Sequence, residues 1–367
     1  MATAAEKLSY AAAQAARVAF YGAHYLIARL IARDAFAQID LDRHSFPSLA
    51  ATLKGMHVLF EKDLANAEAG LYPLPLDIAQ EMRRAGASLK YLADIPRVAA
   101  RRRRNGHNEL KEATRDLPRY YRQNFHYQTD GYLSADSARL YDFQVEALFS
   151  GTADAMRRRA FVPVANFLKE RNPKRTVLLD VGAGTGGFLS FVKAAAPDLK
   201  LIALDLSRPY LDRARRRLSA WTDVKFVAAP AEKMPLADRS VDAAISIYLF
   251  HELPPQIRAR AAREIARVLK PGGIFVLAET IQYGDLADCD GLIATFPGLL
   301  HEPYYESFAR QDLAALFAPA GLQLVETDIA YLTKISIFGK EPAKRAKKLS
   351  SPRKRGPRRL KAKETYI

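Results

Sequence analysis

A chain of 367 residues, 49% of them hydrophobic, is long enough for two domains or for one large domain with an extension, so wholesale disorder is excluded. Its single cysteine, Cys289, excludes an internal disulfide framework and a multi-cysteine zinc site; it fits a reducing compartment, the cytoplasm by expectation, and no metal is expected. The formal charge of +16 invites a nucleic-acid or anionic-membrane partner, but residues 341–367 hold eleven Lys or Arg against Glu341 and Glu364, a net of +9, so more than half of the excess is terminal.

Residues 1–118 are expected to form a helical extension, helical from about 5 to 104, with breaks near Phe46-Pro47 and from Leu71 to Pro75. The apolar stretch from Val18 to Ala28 is flanked by Arg17, Arg29 and Arg33 and falls short of the ~20 residues that cross a bilayer. Phe20, Tyr21, Tyr25, Leu26, Leu30 and Ile31 form either a packing stripe or an interfacial face. The run from Arg101 to Arg104, followed by Asn105-Gly106, reads as a solvated helix end.

Residues 119–160 are dense in aromatic and small polar side chains, a composition suited to a cap or pocket wall. From 161 to 340 the pattern turns α/β. Short β-branched runs at Thr176–Val181, Lys200–Asp205, Val224–Ala228, Val241–Ser246 and Gly273–Glu279 alternate with helical segments, which implies right-handed crossovers and a mainly parallel sheet. Two final runs, Leu322–Ile329 and Tyr331–Phe338, are joined by Ala330 alone and must pair antiparallel. Residues 341–367 contain few apolar groups and are expected to be a disordered basic tail, solubilising or anion-binding.

The segment Val177–Leu189, VLLDVGAGTGGFL, carries the chemistry. A buried strand ends at Asp180, and Gly182, Gly184 and Gly186 let the backbone turn tightly and approach a ligand at a helix N-terminus. Gly182, Gly184 and Gly187 also satisfy G-x-G-x-x-G, so a nicotinamide or flavin enzyme remains in view here. Asp205 ends the second strand, where two vicinal ribose hydroxyls can donate to it, whichever ligand is bound. Asp180 is poorly placed beside a pyrophosphate but well placed to face an ammonium group.

With AEKMPLADRSVDAAIS (Ala231–Ser246) and the LKPGG turn that closes a helix at Pro271-Gly272-Gly273, the chain resembles the class I S-adenosylmethionine-dependent methyltransferases. The group containing the ubiquinone and menaquinone methyltransferases is the nearest in pattern. The resemblance covers Thr176 to about Thr280. It implies a Rossmann-like seven-stranded, mostly parallel sheet with an antiparallel last strand, S-adenosyl-L-methionine as cofactor, and methyl transfer as the activity. It further implies that Asp180, Gly182, Ala183, Gly184 and Gly186 back the methionine part, that Asp205 and Leu206 take the ribose, and that Ala231, Glu232 and Tyr248 complete the cofactor site. Many relatives have Asp before the Ala-Glu pair; Pro230 stands here, so adenine recognition is expected to rest on backbone groups.

SIYLFHELP (Ser246–Pro254) follows the fourth strand at the ligand-bearing edge of such sheets. His251 is either a general base, with Glu252 orienting it or taking a proton itself, or simply the start of a helix. Aromatic residues on either side, His126, Tyr127, Tyr132 and Tyr141 before the sheet and Phe296, His301, Tyr304 and Tyr305 after the fifth strand, are candidates to enclose a small hydrophobic or amphipathic acceptor, and equally candidates for core or lid. Two rivals stand beside the small-molecule reading: an RNA-directed methyltransferase, and a methyltransferase fold serving as an adaptor for nucleic acid or membrane through its basic ends. No N-P-P-Y or D-P-P-Y sequence follows the fourth strand, which counts against methylation of a base's exocyclic amine.

Overall fold

The computed structural model describes residues 2–36, 46–110, 114 and 116–342. Helices α1 (Ala4–Ile31), α2 (Arg33–Phe36), α3 (Leu49–Glu68), α4 (Ile78–Ala85) and α5 (Ser88–Arg103) precede α6 (Ala135–Leu148) and α7 (Ala153–Leu168). The chain then alternates through β1 (Val177–Val181), α8 (Gly187–Ala195), β2 (Lys200–Asp205), α9 (Arg208–Arg217), β3 (Val224–Ala228), β4 (Val241–Ile247), α10 (Pro255–Val268) and β5 (Leu269–Thr280). After α11 (Asp290–Leu299), α12 (Tyr305–Ala309) and α13 (Leu313–Phe317), it closes with β6 (Leu322–Ala330) and β7 (Thr333–Lys340).

The seven strands lie in the order β3-β2-β1-β4-β5-β7-β6. The first five are parallel, and β7 runs antiparallel to both β5 and β6. This is the mostly parallel, Rossmann-like sheet expected from the alternating pattern. Side-chain alternation sorts the core into two layers: Leu178, Ala243, Ile245 and Val276 face Phe161, Phe188 and Val192 of α7 and α8, while Leu179, Val181, Phe275 and Leu277 face Ile257, Ala261, Ile265 and Phe317 of α10 and α13. Strands buried on both faces need apolar residues at nearly every position, which is why they read as continuous runs.

Helix α1 begins with a reciprocal cap, Thr3 accepting from the Glu6 N–H at 3.2 Å and the Glu6 carboxylate accepting from the Thr3 N–H at 2.7 Å. It is tied to the sheet layer through Asp63 of α3, which is 2% exposed. Arg158 of α7 donates to both oxygens of Asp63 at 2.9 and 2.6 Å, and the hydroxyls of Tyr10 and Tyr72 donate at 2.6 and 2.8 Å. The apolar stripe on α1 divides: Tyr21 is buried against Phe143, whereas Leu26, Leu30 and Ile31 are exposed. Among the described residues no helix is long and apolar enough to cross a membrane.

Several expectations need correction. The helix before β5 ends at Val268, not at the Pro-Gly-Gly turn, because Leu269 already pairs with Val241 and LKPGG enters the strand through an irregularity in register. A Cβ on Gly273 would stand 2.6 Å from the Asp242 carbonyl oxygen, so the strand passes there only as glycine. Arg101 is not solvated: it is buried, and donates to Glu109 at 2.8 Å, to Thr129 at 2.9 Å and to the Tyr127 carbonyl at 3.3 Å. The last hairpin turns at Tyr331-Leu332, beginning one residue later than the Ala330 that the sequence suggested. Helix α7 runs unbroken across position 160, where the cap and the α/β region were expected to divide. Residues 343–367, most of the basic tail, lie outside the described residues.

Candidate active site

The carboxyl edge of the sheet gathers the loops after β1, β2, β4 and β5. After β1 the backbone turns through Gly182, Gly184 and Gly186, all at positive φ. A Cβ on Gly182 or Gly186 would meet Leu249 or Ala214 at 3.1 and 2.9 Å, so these two glycines allow close packing. At Gly184 the nearest atoms would be ring carbons of Tyr141 and Tyr210 at 4.0 Å, and this position opens onto the crevice. Gly182 and Ala183 donate to the Leu204 carbonyl, holding the bend against β2.

Two carboxylates flank the bend. Asp205 accepts from the Gly184 N–H at 2.8 Å and from the Ser207 N–H at 2.7 Å, and burial pushes its pKa up to about 6. Asp180 is 2% exposed; burial, reinforced by the Asp205 charge, pushes it up to about 8. Buried Asp180 and half-buried Asp205, beside an open glycine, suit cationic and hydroxyl donors, and the ammonium and ribose of S-adenosylmethionine are groups of those two kinds. A Cβ-free wall and this donor-hungry pair make the crevice fit that cofactor. Ala231 is buried, and Glu232 accepts the Tyr120 hydroxyl at 2.9 Å on each oxygen, so the strap from Arg119 onward reaches the segment after β3. Leu206 contributes its backbone N–H to Asp205. Tyr248, at φ 55°, stacks on Phe149 and shares a 2.5 Å hydrogen bond with Thr333.

The turn after β4 presents His251 and Glu252, and its geometry is set by Glu279, a wholly buried acid near the end of β5. Glu279 accepts from the backbone N–H groups of Leu249 and Phe250 at 2.8 and 2.5 Å, while His251 Nδ1 lies 2.5 Å from its other oxygen. Arg258 of α10 pins the same turn, donating to the Phe250 carbonyl at 2.9 Å and to the Tyr304 carbonyl at 2.6 Å. Burial disfavours an imidazolium at His251, but the charges of Glu279 and Glu302 outweigh it and lift the pKa to about 9. Glu252 accepts from the Tyr132 hydroxyl at 2.5 Å; burial and the Glu302 charge push it up to about 7. Buried Glu302 pairs with His126 Nε2 and stands 3.9 Å from His251 Nε2. His126, Glu252 and Glu302 bring one ligand atom each within 4.8 Å of one another; His126 is hydrogen-bonded to Glu302, whereas the Glu252 carboxylate is held from outside the group by Tyr132.

The other acceptor-side candidates are dispersed. Tyr132 stands at the centre, its ring 5.5 Å from Phe125 and 5.6 Å from Tyr210, so one aromatic wall runs from Gly184 through Tyr141 and Tyr210 to Glu252. Tyr305 is buried with its ring 6.0 Å from His251, and Phe296 packs behind it at 4.7 Å. His301 sits at the rim, stacked on His107 at 4.1 Å and bonded to Gln123 at 2.7 Å; burial and His107 lower its pKa to about 4. Tyr127 is buried and donates its hydroxyl to Asn105 at 3.2 Å, and Tyr304 is half-buried. Glu279, Glu302, Arg258, Tyr120 and Tyr210 were not foreseen. The isolated acid closing the apolar run of β5 was a usable signal for Glu279; nothing local marks Glu302.

Residues 178–273 match the family model described as a methyltransferase domain. The demethylmenaquinone methyltransferase of Thermotoga maritima is 33% identical over 144 residues, 39% of this chain and 58% of that protein. The malonyl-[acyl-carrier protein] O-methyltransferase of Xylella fastidiosa is 32% identical over 145 residues, 36% of this chain and 47% of that protein. For the demethylmenaquinone methyltransferase of Clavibacter sepedonicus the figures are 39% over 122 residues, 33% and 44%. The chain thus spans about half the length of the curated relatives it matches.

Proposed function

We propose that the protein, whose residues 178–273 match a methyltransferase domain, is a class I S-adenosylmethionine-dependent methyltransferase that transfers the cofactor's methyl group to a small hydrophobic or amphipathic acceptor with an acidic O–H or C–H. The observation that carries this reading is the His251–Glu252–Glu279–Glu302 cluster, set across an aromatic wall from the open glycine bend. A thiolate or neutral amine needs no such apparatus; an oxygen or carbon acid does. Asp180 holds the cofactor's ammonium and Asp205 its ribose, and the bound sulfonium supplies an electrophilic methyl.

The protein's own part is proton management and alignment. Glu252, poised near neutrality, takes the acceptor's proton, while His251, kept charged by Glu279, holds the anion that forms. Tyr132 fixes the Glu252 carboxylate, and Tyr305 and Phe308 line the far side of His251. The acceptors named for the relatives, demethylmenaquinone and malonyl-[acyl-carrier protein], support a carbon or oxygen acceptor.

Two tests are direct. Titration calorimetry should show binding of S-adenosylhomocysteine and none of NAD; the reverse result overturns the reading in favour of a dinucleotide enzyme. Affinity for S-adenosylhomocysteine should also rise with pH. Asp180 is protonated in the free protein below about pH 8 and must lose that proton to pair with an ammonium. Binding therefore releases a proton, and the association constant climbs by up to about tenfold per pH unit until it levels near 8. Affinity unchanged from pH 6 to 8 removes Asp180 from the ammonium site.

A further inference from the structure

The cluster beside His251 holds more acid than its own hydrogen bonds satisfy. Glu279 is taken up by the Leu249 and Phe250 N–H groups and by His251 Nδ1, which leaves Glu252 and Glu302 to share His126. His251 Nε2, 3.9 Å from Glu302, is beyond hydrogen-bond reach. The Glu302 side chain is wholly buried, and its Oε2 atom has no hydrogen-bond partner among the described residues, although Oε1 contacts His126 Nε2. A carboxylate oxygen left without a donor in the interior is costly. The three residues come from separate segments: His126 from the strap before α6, Glu252 from the turn after β4, and Glu302 from the loop between α11 and α12. The His126 N–H donates to the His301 carbonyl at 3.3 Å, which holds strap against loop, and Tyr132 fixes Glu252 Oε1 at 2.5 Å.

We propose that His126, Glu252 and Glu302 form a binding site for a divalent transition-metal ion of the zinc type, and that the bound ion blocks methyl transfer. Each of the three offers one ligand atom, an imidazole nitrogen or a carboxylate oxygen, within 4.8 Å of the other two. Donors about 2.1 Å from one zinc ion lie up to about 4.2 Å apart, so a small side-chain movement closes the site. The ion replaces the proton held between His126 Nε2 and Glu302, and it gives the Glu302 carboxylate the positive partner that Oε2 lacks. Imidazole mixed with carboxylate suits zinc and its neighbours, whereas an all-oxygen shell suits magnesium or calcium. The lone Cys289 excludes a thiolate site, and no metal was expected on that ground; these donors need no cysteine. The site itself stands on geometry. Its effect on catalysis rests on the reading above, in which Glu252 receives the acceptor's proton: an ion that takes this carboxylate leaves no base. Asp180 and Asp205 are not among the ligands, so binding of S-adenosylhomocysteine should be indifferent to the ion.

Calorimetry on the full chain, stripped with a chelator and titrated with zinc chloride, tests the site. Wild-type protein should bind zinc, and His57→Gln, which removes an exposed imidazole on α3, should bind it equally well. Loss of an outer partner of a metal ligand already costs about 10- to 100-fold in affinity, so His126→Gln and Glu302→Gln, which remove ligands themselves, should each cost at least as much. If either variant fails to fold by circular dichroism, X-ray absorption at the zinc edge on wild-type protein decides. A single imidazole nitrogen with oxygens at about 2.0–2.2 Å supports the site; two or more imidazoles, or none, overturn it. No zinc binding by wild-type protein, or binding that survives both substitutions, also overturns the site and leaves the methyltransferase reading in place. Zinc should also stop methyl transfer to an acceptor found by labelled-methyl mass spectrometry, and a chelator should restore it. Transfer that continues with the cluster loaded overturns the block and, with it, Glu252 as the base. Protein that binds zinc as expected but no S-adenosylhomocysteine keeps the site and overturns the methyltransferase reading.

Discussion

Replacing His251 with glutamine is expected to lower kcat by about 10²- to 10⁴-fold while leaving the affinity for S-adenosylhomocysteine within a few-fold of wild type. The split follows from position. His251 sits on the turn after β4 with Nδ1 committed to Glu279 and Nε2 facing Glu302, whereas the residues proposed to hold the cofactor lie on the β1 and β2 loops. The pH profile of kcat carries the mechanistic content. Below about pH 7 Glu252 is protonated and cannot receive the acceptor's proton, and above about pH 9 His251 loses the charge that holds the anion, so the rate should plateau between and fall on both sides. Glu252→Gln should remove the acid limb and His251→Gln the basic limb, each at reduced rate. A His251→Gln enzyme with unchanged kcat, assayed on an acceptor found by labelled-methyl mass spectrometry, would exclude this cluster from the chemistry.

The glycine bend and the two carboxylates that flank it were legible in the sequence because their signals are local. Asp180 to Gly186 is one strand end and one bend, and Asp205 ends the next strand, so spacing alone puts them at one edge once the crossover is right-handed. The acid–base half was not, because His126, His251, Glu279 and Glu302 come from four separate elements and meet only through tertiary packing. Aromatic segments without a clear period also give no indication of facing. Tyr127 and Tyr132, five positions apart, point respectively to Asn105 at the rim and to Glu252 at the centre, because the backbone between them turns through positive φ at Asp130 and Gly131. The sequence likewise marked the N-terminal helices only as an extension. Half-buried Arg17 and buried Arg84 and Arg101 look like solvent-facing residues until their acidic partners, some 8 to more than 100 positions away, are in place.

The attachment of those helices can be measured on its own. Asp63→Ala is expected to cost about 3–5 kcal/mol of stability, read as a fall in the urea midpoint, because it strands the Arg158 guanidinium in the interior and releases the hydroxyls of Tyr10 and Tyr72 together. The loss is large against the ~5–15 kcal/mol that holds a typical domain folded. It also reaches the site: α1, tied to Asp63 through Tyr10, carries Arg17, which pairs with Glu146 of α6, the helix that presents Tyr141 beside Gly184. The double variant Asp63→Leu/Arg158→Met separates two accounts of this pair. Buried ion pairs repay their desolvation poorly, so an apolar replacement of similar volume should recover most of the stability lost in Asp63→Ala. If it does so while S-adenosylhomocysteine binding stays weak, the pair is there to set the register of α1 and α3 against α7 and not to hold the fold together. A double variant as unstable as the single one, with binding intact, reverses that conclusion.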